Sequence, residues 1–192
     1  MNTFTSTAKA YLNFALGLRA FLRVKWTPDD VKNTVGEQLA HREENFLSTI
    51  QSNILNHPTS PYIPLLDRAK ITYEDIEKLV VTYGLEGALS ELYDAGVYVT
   101  FEELKGRIPI KRGDLEYHVD SSDFDSPNLT EAFISQSSGS TGNPSRTKLD
   151  LDYLMHNSRN YSLMYEMVGI FDAPTAAWTS FLPIPTITNM SL

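Results

Sequence analysis

The chain has 192 residues, 42% hydrophobic and 21% charged, with a formal net charge of −8 and no cysteine. That length and composition suit a globular chain of one domain or two small ones. They exclude disulfides and thiolate metal sites and argue against a general nucleic-acid binder, which needs a basic face.

No run approaches the roughly 20 apolar residues of a membrane span. No charged start followed by an apolar core and a small-residue cleavage site marks a secretory leader. The expectation is therefore a cytoplasmic protein with no stable membrane insertion and no nucleic-acid partner. The Asn-x-Ser/Thr patterns at Asn128, Asn160 and Asn189 are read as chance.

The first 25 residues hold Lys9, Arg19, Arg23 and Lys25 and no acid. Leu12, Phe14, Leu16, Leu18, Phe21, Leu22 and Trp26 leave this stretch little polar face, so it reads as a helix packed on the body rather than a targeting segment. Thr27-Pro28-Asp29-Asp30 then supplies a capping hydroxyl, a first-turn proline and acids at the positive end of the dipole. A second helix is predicted from there to about Ile50. "NHPTSPYIPLL", from Asn56, carries three prolines and is predicted to be an irregular extended connection.

"KITYEDIEKLVVTYG" has Thr72 as cap and Asp75 at the third position, an approximate capping box before a short helix. "GLEGALSELYDAG" continues as another helix, closed by Gly96. "VYVTFEELKGRIPIKRG" is predicted as a strand, a helical turn and a second extended arm, ending in Lys111 and Arg112. Both cations are read as solvated surface groups rather than anion ligands. The acidic stretch from Asp114 to Asp125 fails the calcium-loop pattern, because Phe124 and Asp125 stand where a ligand and a glycine are needed. It is predicted to be a mobile solvated loop. His41, His57, His118 and His156 have no second ligand at metal spacing, so no metal site is legible.

The richest motif is "SQSSGSTGNPSRTK", Ser135 to Lys148. "LTEAFIS" before it and "SRTKLDL" after it both alternate, so the glycine loop is predicted to sit between two strands. The GxxxxGK[ST] loop and the GxGxxG fingerprint are both absent. Two glycines still permit positive φ and a nest of backbone N–H groups, and the hydroxyls add neutral donors that rotate to suit a polyphosphate. The same residue types also make ordinary surface turns.

"SSGSTGNP", Ser137 to Pro144, resembles the signature loop of the adenylate-forming superfamily: acyl- and aryl-CoA synthetases, luciferases and the adenylation domains of peptide synthetases. Eight of its nine positions agree, Ser145 standing where a lysine is usual. "FLRVKWTPDDVK", "SPYIPLLDRAKITYEDIEKL" and "GVYVTFEELKGRIPIKRG" are similar to the phenylacetate-CoA ligase-like branch, in which that lysine is often absent. The likeness covers most of the chain from Phe21 onward.

The resemblance implies an α/β fold: a helical N-terminal segment over residues 1–113, then over 114–192 the first strands and glycine/serine-rich loop of the large ATP-binding domain. It implies a two-step ligase, in which a small carboxylic acid attacks ATP to give an acyl-adenylate and a thiol then displaces AMP. ATP, Mg2+ and coenzyme A are the implied cofactors, and an enzyme transferring to a protein thiol is a sister possibility. Ser137, Ser138, Gly139, Ser140, Thr141 and Gly142 would hold the β- and γ-phosphates. Arg146 and Lys148 would substitute for the missing lysine, although alternation puts both on the strand face opposite Ser145. Catalytic residues are unassigned, and the oligomeric state is open. A non-catalytic phosphate- or partner-binding module is the reading from another class.

Beyond the loop, "DLDYLMHNSRNYSLMYEMVGI" is predicted as a helix capped near Asp150 or Asp152, with Leu154, Met155, Tyr161, Leu163, Met164 and Met167 in the core. "PTAAWTSFLPI" reads as a buried strand, and "PTITNMSL" stops without a closing element. Only about fifty residues follow the loop. The family's other nucleotide-binding segments lie after it, so the chain is expected to be an incomplete, N-terminal portion that is marginal or aggregation-prone and inactive alone.

Overall fold

The computed structural model describes residues 12, 16–127, 129, 133–136 and 146–174, with the backbone alone at 133–136 and 146–147. Among them the chain is mixed α/β and mostly helical, with two separate two-stranded sheets. It divides into two compact units, one formed by Met1–Leu39 with Leu129–Leu192 and the other by Ala40–Asn128.

In the first unit, residues 16–21 are helical (α1). Pro28–Ala40 forms α2, started as the sequence predicts: the Asp30 amide donates to Thr27 Oγ1 at 3.2 Å and the Thr27 amide donates back to Asp30 Oδ2 at 3.1 Å. Phe133–Gln136 (β3) and Arg146–Leu149 (β4) pair antiparallel, and Leu151–Met167 forms α7. The unit's described core is Phe21, Leu149 and Leu154, with Leu18, Leu151 and Met155 packed against it. The absence of a side chain at Gly17 allows α1 its close approach to Leu151, whose Cδ1 a Cβ there would strike. Leu18 and Phe21 thus pack α1 on the body as predicted, whereas Leu12, Leu16 and Leu22 of the same apolar set are exposed. Asp150 caps α7, accepting from the Tyr153 amide at 2.8 Å. The predicted core stripe of α7 holds at Leu154 and Met155 but fails at Met164 and Met167, which are exposed.

The second unit begins where the predicted long helix breaks. His41 leaves helical geometry (φ −102°, ψ 18°), and Arg42–Thr49 restarts as α3. No glycine, proline or capping residue marks position 41, so local sequence carries no signal for this break. Thr49 Oγ1 then donates to the Asn45 carbonyl at 2.8 Å, a back-bond that loosens a helix. Ile50–Leu55 follows as a π-helical segment, with the Asn56 amide reaching the Gln51 carbonyl.

The connection from Asn56 is irregular only to Tyr62, because Ile63–Ala69 forms α4 with Pro64 in its first turn, where a missing N–H costs nothing. Tyr73–Asp94 forms α5 behind the predicted Thr72–Asp75 capping box, with a sharp kink at Gly84 (φ 69°, ψ −179°), a conformation open only to glycine. Its end is a Schellman motif: the Gly96 amide bonds the Tyr93 carbonyl and the Val97 amide the Leu92 carbonyl, at 2.9 and 2.8 Å.

The strand predicted at 97–100 does not form. Thr100 instead caps the short helix α6, Phe101–Leu104. Ile110–Arg112 (β1) and Leu115–Tyr117 (β2) make a hairpin whose two-residue turn has positive φ at Gly113, so position 113 lies inside a paired element. The acidic stretch is not a bare loop either. It contains β2 and a 3-10 turn, Ser121–Phe124, closed by an Asp120–Asp123 capping box. The unit's core gathers Leu66, Ile76 and Leu92 with Phe46, Ile50, Ile54 and Val97.

Candidate functional site

The glycine-serine motif falls between β3 and β4. Their register pairs Phe133 with Leu149, Ile134 with Lys148, Ser135 with Thr147 and Gln136 with Arg146. Residues 137–145, including the candidate phosphate donors Ser137, Ser138, Gly139, Ser140, Thr141 and Gly142, lie outside the described residues. Their two anchors do not. The chain enters from Gln136 and returns at Arg146, which face each other across the last described pair of the ladder. Both flanking strands were legible from alternation, and so was their position on either side of the loop.

Arg146 is the first residue of β4, and Lys148 lies two positions further on. Lys148 is exposed while its neighbour Leu149 is buried, as period-two alternation requires. Leu149 anchors β4 in the core next to α7, whose capped start follows directly.

Two features of the second unit were invisible to sequence reasoning. The first is an ion pair. Arg112, predicted to be a solvated cation, is inside: its side chain is 9% exposed and that of its partner Glu103 5%. Nη1 and Nη2 of Arg112 meet the two Glu103 carboxylate oxygens at 2.8 and 3.1 Å. Nη2 also donates to the Tyr98 carbonyl at 2.7 Å and Nε to the Gly96 carbonyl at 3.2 Å. The guanidinium lies 3.8 Å from the Tyr98 ring centroid. Glu103 further accepts from the Thr100 amide and hydroxyl.

These bonds, that to Arg112 foremost, hold the Glu103 carboxyl down at about 2 from an ordinary 4.5. The Thr100-Phe-Glu-Glu103 spacing marks a capping box, but the same spacing at Thr27, Thr72 and Asp120 leaves its acid unburied, so it does not announce the buried pair. Lys111, by contrast, is solvated as predicted and pairs with Glu116 at 2.7 Å. Tyr117 closes this region, donating from its hydroxyl to the Pro61 carbonyl at 2.6 Å, and burial pushes its phenol up to about 12.

The second feature is a cavity of about 410 Å³, walled by α3, the π-helical segment, α4, α5 and the segment that follows. Phe46, Ile50, Ile54, Leu66, Leu92 and Val97 supply its aliphatic and phenyl wall, and Tyr62, Tyr93 and Tyr98 line it as well. Tyr93 and Tyr98 stack with centroids 4.4 Å apart, so the Arg112 guanidinium, Tyr98 and Tyr93 form a continuous pile from the ion pair to the cavity.

Comparison of the chain with protein-family models, with curated proteins and with solved structures gives no match. Among the described residues no helix is long and apolar enough to cross a membrane, and no group of three or more His, Asp or Glu side chains is placed to hold a metal ion.

Proposed function

We propose that this chain is the N-terminal part of an ATP-dependent, AMP-forming carboxylate ligase of the phenylacetate-CoA ligase-like branch, working in the cytoplasm on a small carboxylic acid. The observation that carries the reading is the motif "SSGSTGNP" set between two strands that pair with each other, with Pro144 before the return strand and a capped helix directly after it. The donor chemistry fits the tail of ATP. Serine and threonine hydroxyls and glycine amides are neutral donors, suited to a polyphosphate whose charge Mg2+ shares.

In this reading Ser138, Ser140 and Thr141 donate to the β- and γ-phosphates and stabilise the charge that grows on leaving pyrophosphate, which is electrostatic catalysis by prepositioned donors. β3 and β4 fix the two ends from which those donors are presented. Coenzyme A as acceptor belongs to the second half-reaction and to the same reading.

The test is carboxylate-dependent ATP–pyrophosphate exchange across aryl and fatty acids, on the protein expressed from its native gene. Exchange with one acid class supports the ligase and names its substrate, and its absence with every acid overturns the reading. Replacing Thr141 with Ala in the active protein should slow exchange by about 10²-fold, the loss typical of one transition-state donor, with a smaller change in acid affinity. An unchanged exchange rate removes Thr141 from the site.

A further inference from the structure

We propose that the cavity of the 40–128 unit is a binding site for a small uncharged apolar molecule, an aromatic ring system or an alkyl chain. The cavity lies wholly within that unit, so the proposal stands independently of the phosphate-loop reading.

Size comes first. A cavity of about 150 Å³ lined by leucine, isoleucine and phenylalanine stays dry and binds benzene, and small-molecule sites run from about 300 to 1,000 Å³. At about 410 Å³ this one has room for more than a single ring. An occupant of matching shape would remove that apolar wall from water, which is the gain that drives apolar binding.

Chemistry comes second. Among the described residues no charged side chain lines the cavity, whose lining is Phe, Ile, Leu, Val and Tyr. The nearest identified cation along the aromatic pile, Arg112, is already committed to Glu103 and to three backbone carbonyls, of Gly96, Tyr98 and Lys111. A carboxylate entering the cavity would be desolvated without a charged partner, a cost that a neutral apolar group avoids. The occupant is therefore neutral in the part that enters. Tyr62 sits in that wall half-buried, its phenol pushed up by burial, edge-on to Phe124 at 6.1 Å between centroids.

Access comes third. Leu89 and Tyr93, one turn apart on α5, both line the cavity and are exposed, at 47% and 58%. They form an apolar mouth open to solvent. Ile50 and Ile54 line the opposite side from the π-helical segment, a distortion that recurs at functional sites.

The experiment uses 2-naphthol and its anionic counterpart 2-naphthoate, at neutral pH, as probes of the full chain, read by saturation-transfer NMR and by the thermal midpoint. Saturable binding of 2-naphthol is expected, with a raised midpoint and at least about tenfold weaker binding of 2-naphthoate. Ile54→Trp, which fills the cavity, should abolish binding of both probes while far-UV dichroism is retained, and Ile50→Phe repeats the test should the first variant fail to fold. The proposal is overturned by absence of saturable 2-naphthol binding, by equal affinity for the two probes, or by binding that survives in a folded, cavity-filled variant. It is also overturned by self-association of the native chain that Ile54→Trp removes, which would assign the cavity to a second copy.

Discussion

The capping boxes and the glycine-serine run use the same short polar side chains in different ways. In residues 40–128, the side chains of Thr72, Thr100 and Asp120 each accept from a backbone amide, and their own amides donate to an acid three residues on, so each starts a helix or turn and leaves little for a ligand. The first unit repeats that box at Thr27 and Asp30, but its densest run of such residues, Ser137 to Ser145, stands between paired strands and contains no acid with which to close one. A hydroxyl three residues before Asp or Glu serves the chain itself. The run without that acid has the composition to serve an anion. The ion pairs differ as well: Arg112–Glu103 is buried and bonded also to the Gly96, Tyr98 and Lys111 carbonyls and to Thr100, whereas Lys32–Glu166 in the first unit, at 2.9 Å, is solvated.

The contrast breaks most visibly at Arg112. Arg112→Ala leaves Glu103 buried without its partner and frees the Tyr98 and Gly96 carbonyls, so urea unfolding should show a loss of about 3–5 kcal/mol. Arg112→Lys should restore little, since one ammonium cannot reach both carboxylate oxygens and two carbonyls.

Acid titration sharpens the same point. Glu103 titrates near 2 when folded against 4.5 ordinarily, so its stabilising contribution is present above about 4.5 and is lost as pH falls toward 2. Stability followed by dichroism across that window should fall by about 3 kcal/mol, and Glu103→Gln should flatten the fall. A smaller effect is expected at the α5 kink. Gly84→Ala forces a side chain into a conformation open to glycine alone and should cost about 1–3 kcal/mol in thermal unfolding. Smallest is Asp150→Ala, which removes the α7 cap and should cost about 1 kcal/mol. A loss as large as that at Arg112 would show that the first unit, too, depends on a single polar group.

Much of the frame was legible because its signals are local. Thr27, Thr72 and Asp150 announce helices α2, α5 and α7 by side-chain chemistry within three residues, and alternation places β3 and β4 around the glycine motif. What escaped depends on partners distant in sequence. The side chain of Arg112 gathers the carbonyls of Gly96 and Tyr98 with the acid of Glu103, and nothing in "IPIKRG" announces that it turns inward. The cavity is likewise assembled from residues between Phe46 and Val99 that look, one by one, like ordinary core. The break at His41 and the exposure of Met164 and Met167 follow from packing rather than from periodicity.

The π-helical segment makes chain length itself a determinant of this region. A π-turn spans one residue more than an α-turn between bonded groups, so Ile50–Leu55 amounts to a helix with one residue inserted. With one residue fewer between Gln51 and Asn53, the segment would relax to regular α-helix, and the residues after it would keep nearly the face they have, because the wider turn absorbs its extra residue locally. Ile50 and Ile54 would then stand three apart instead of four, still on one helix face. A single-codon deletion here should therefore be tolerated better than one inside α3, where each later side chain would turn by about 100°, and the thermal midpoints of the two deletions compare them.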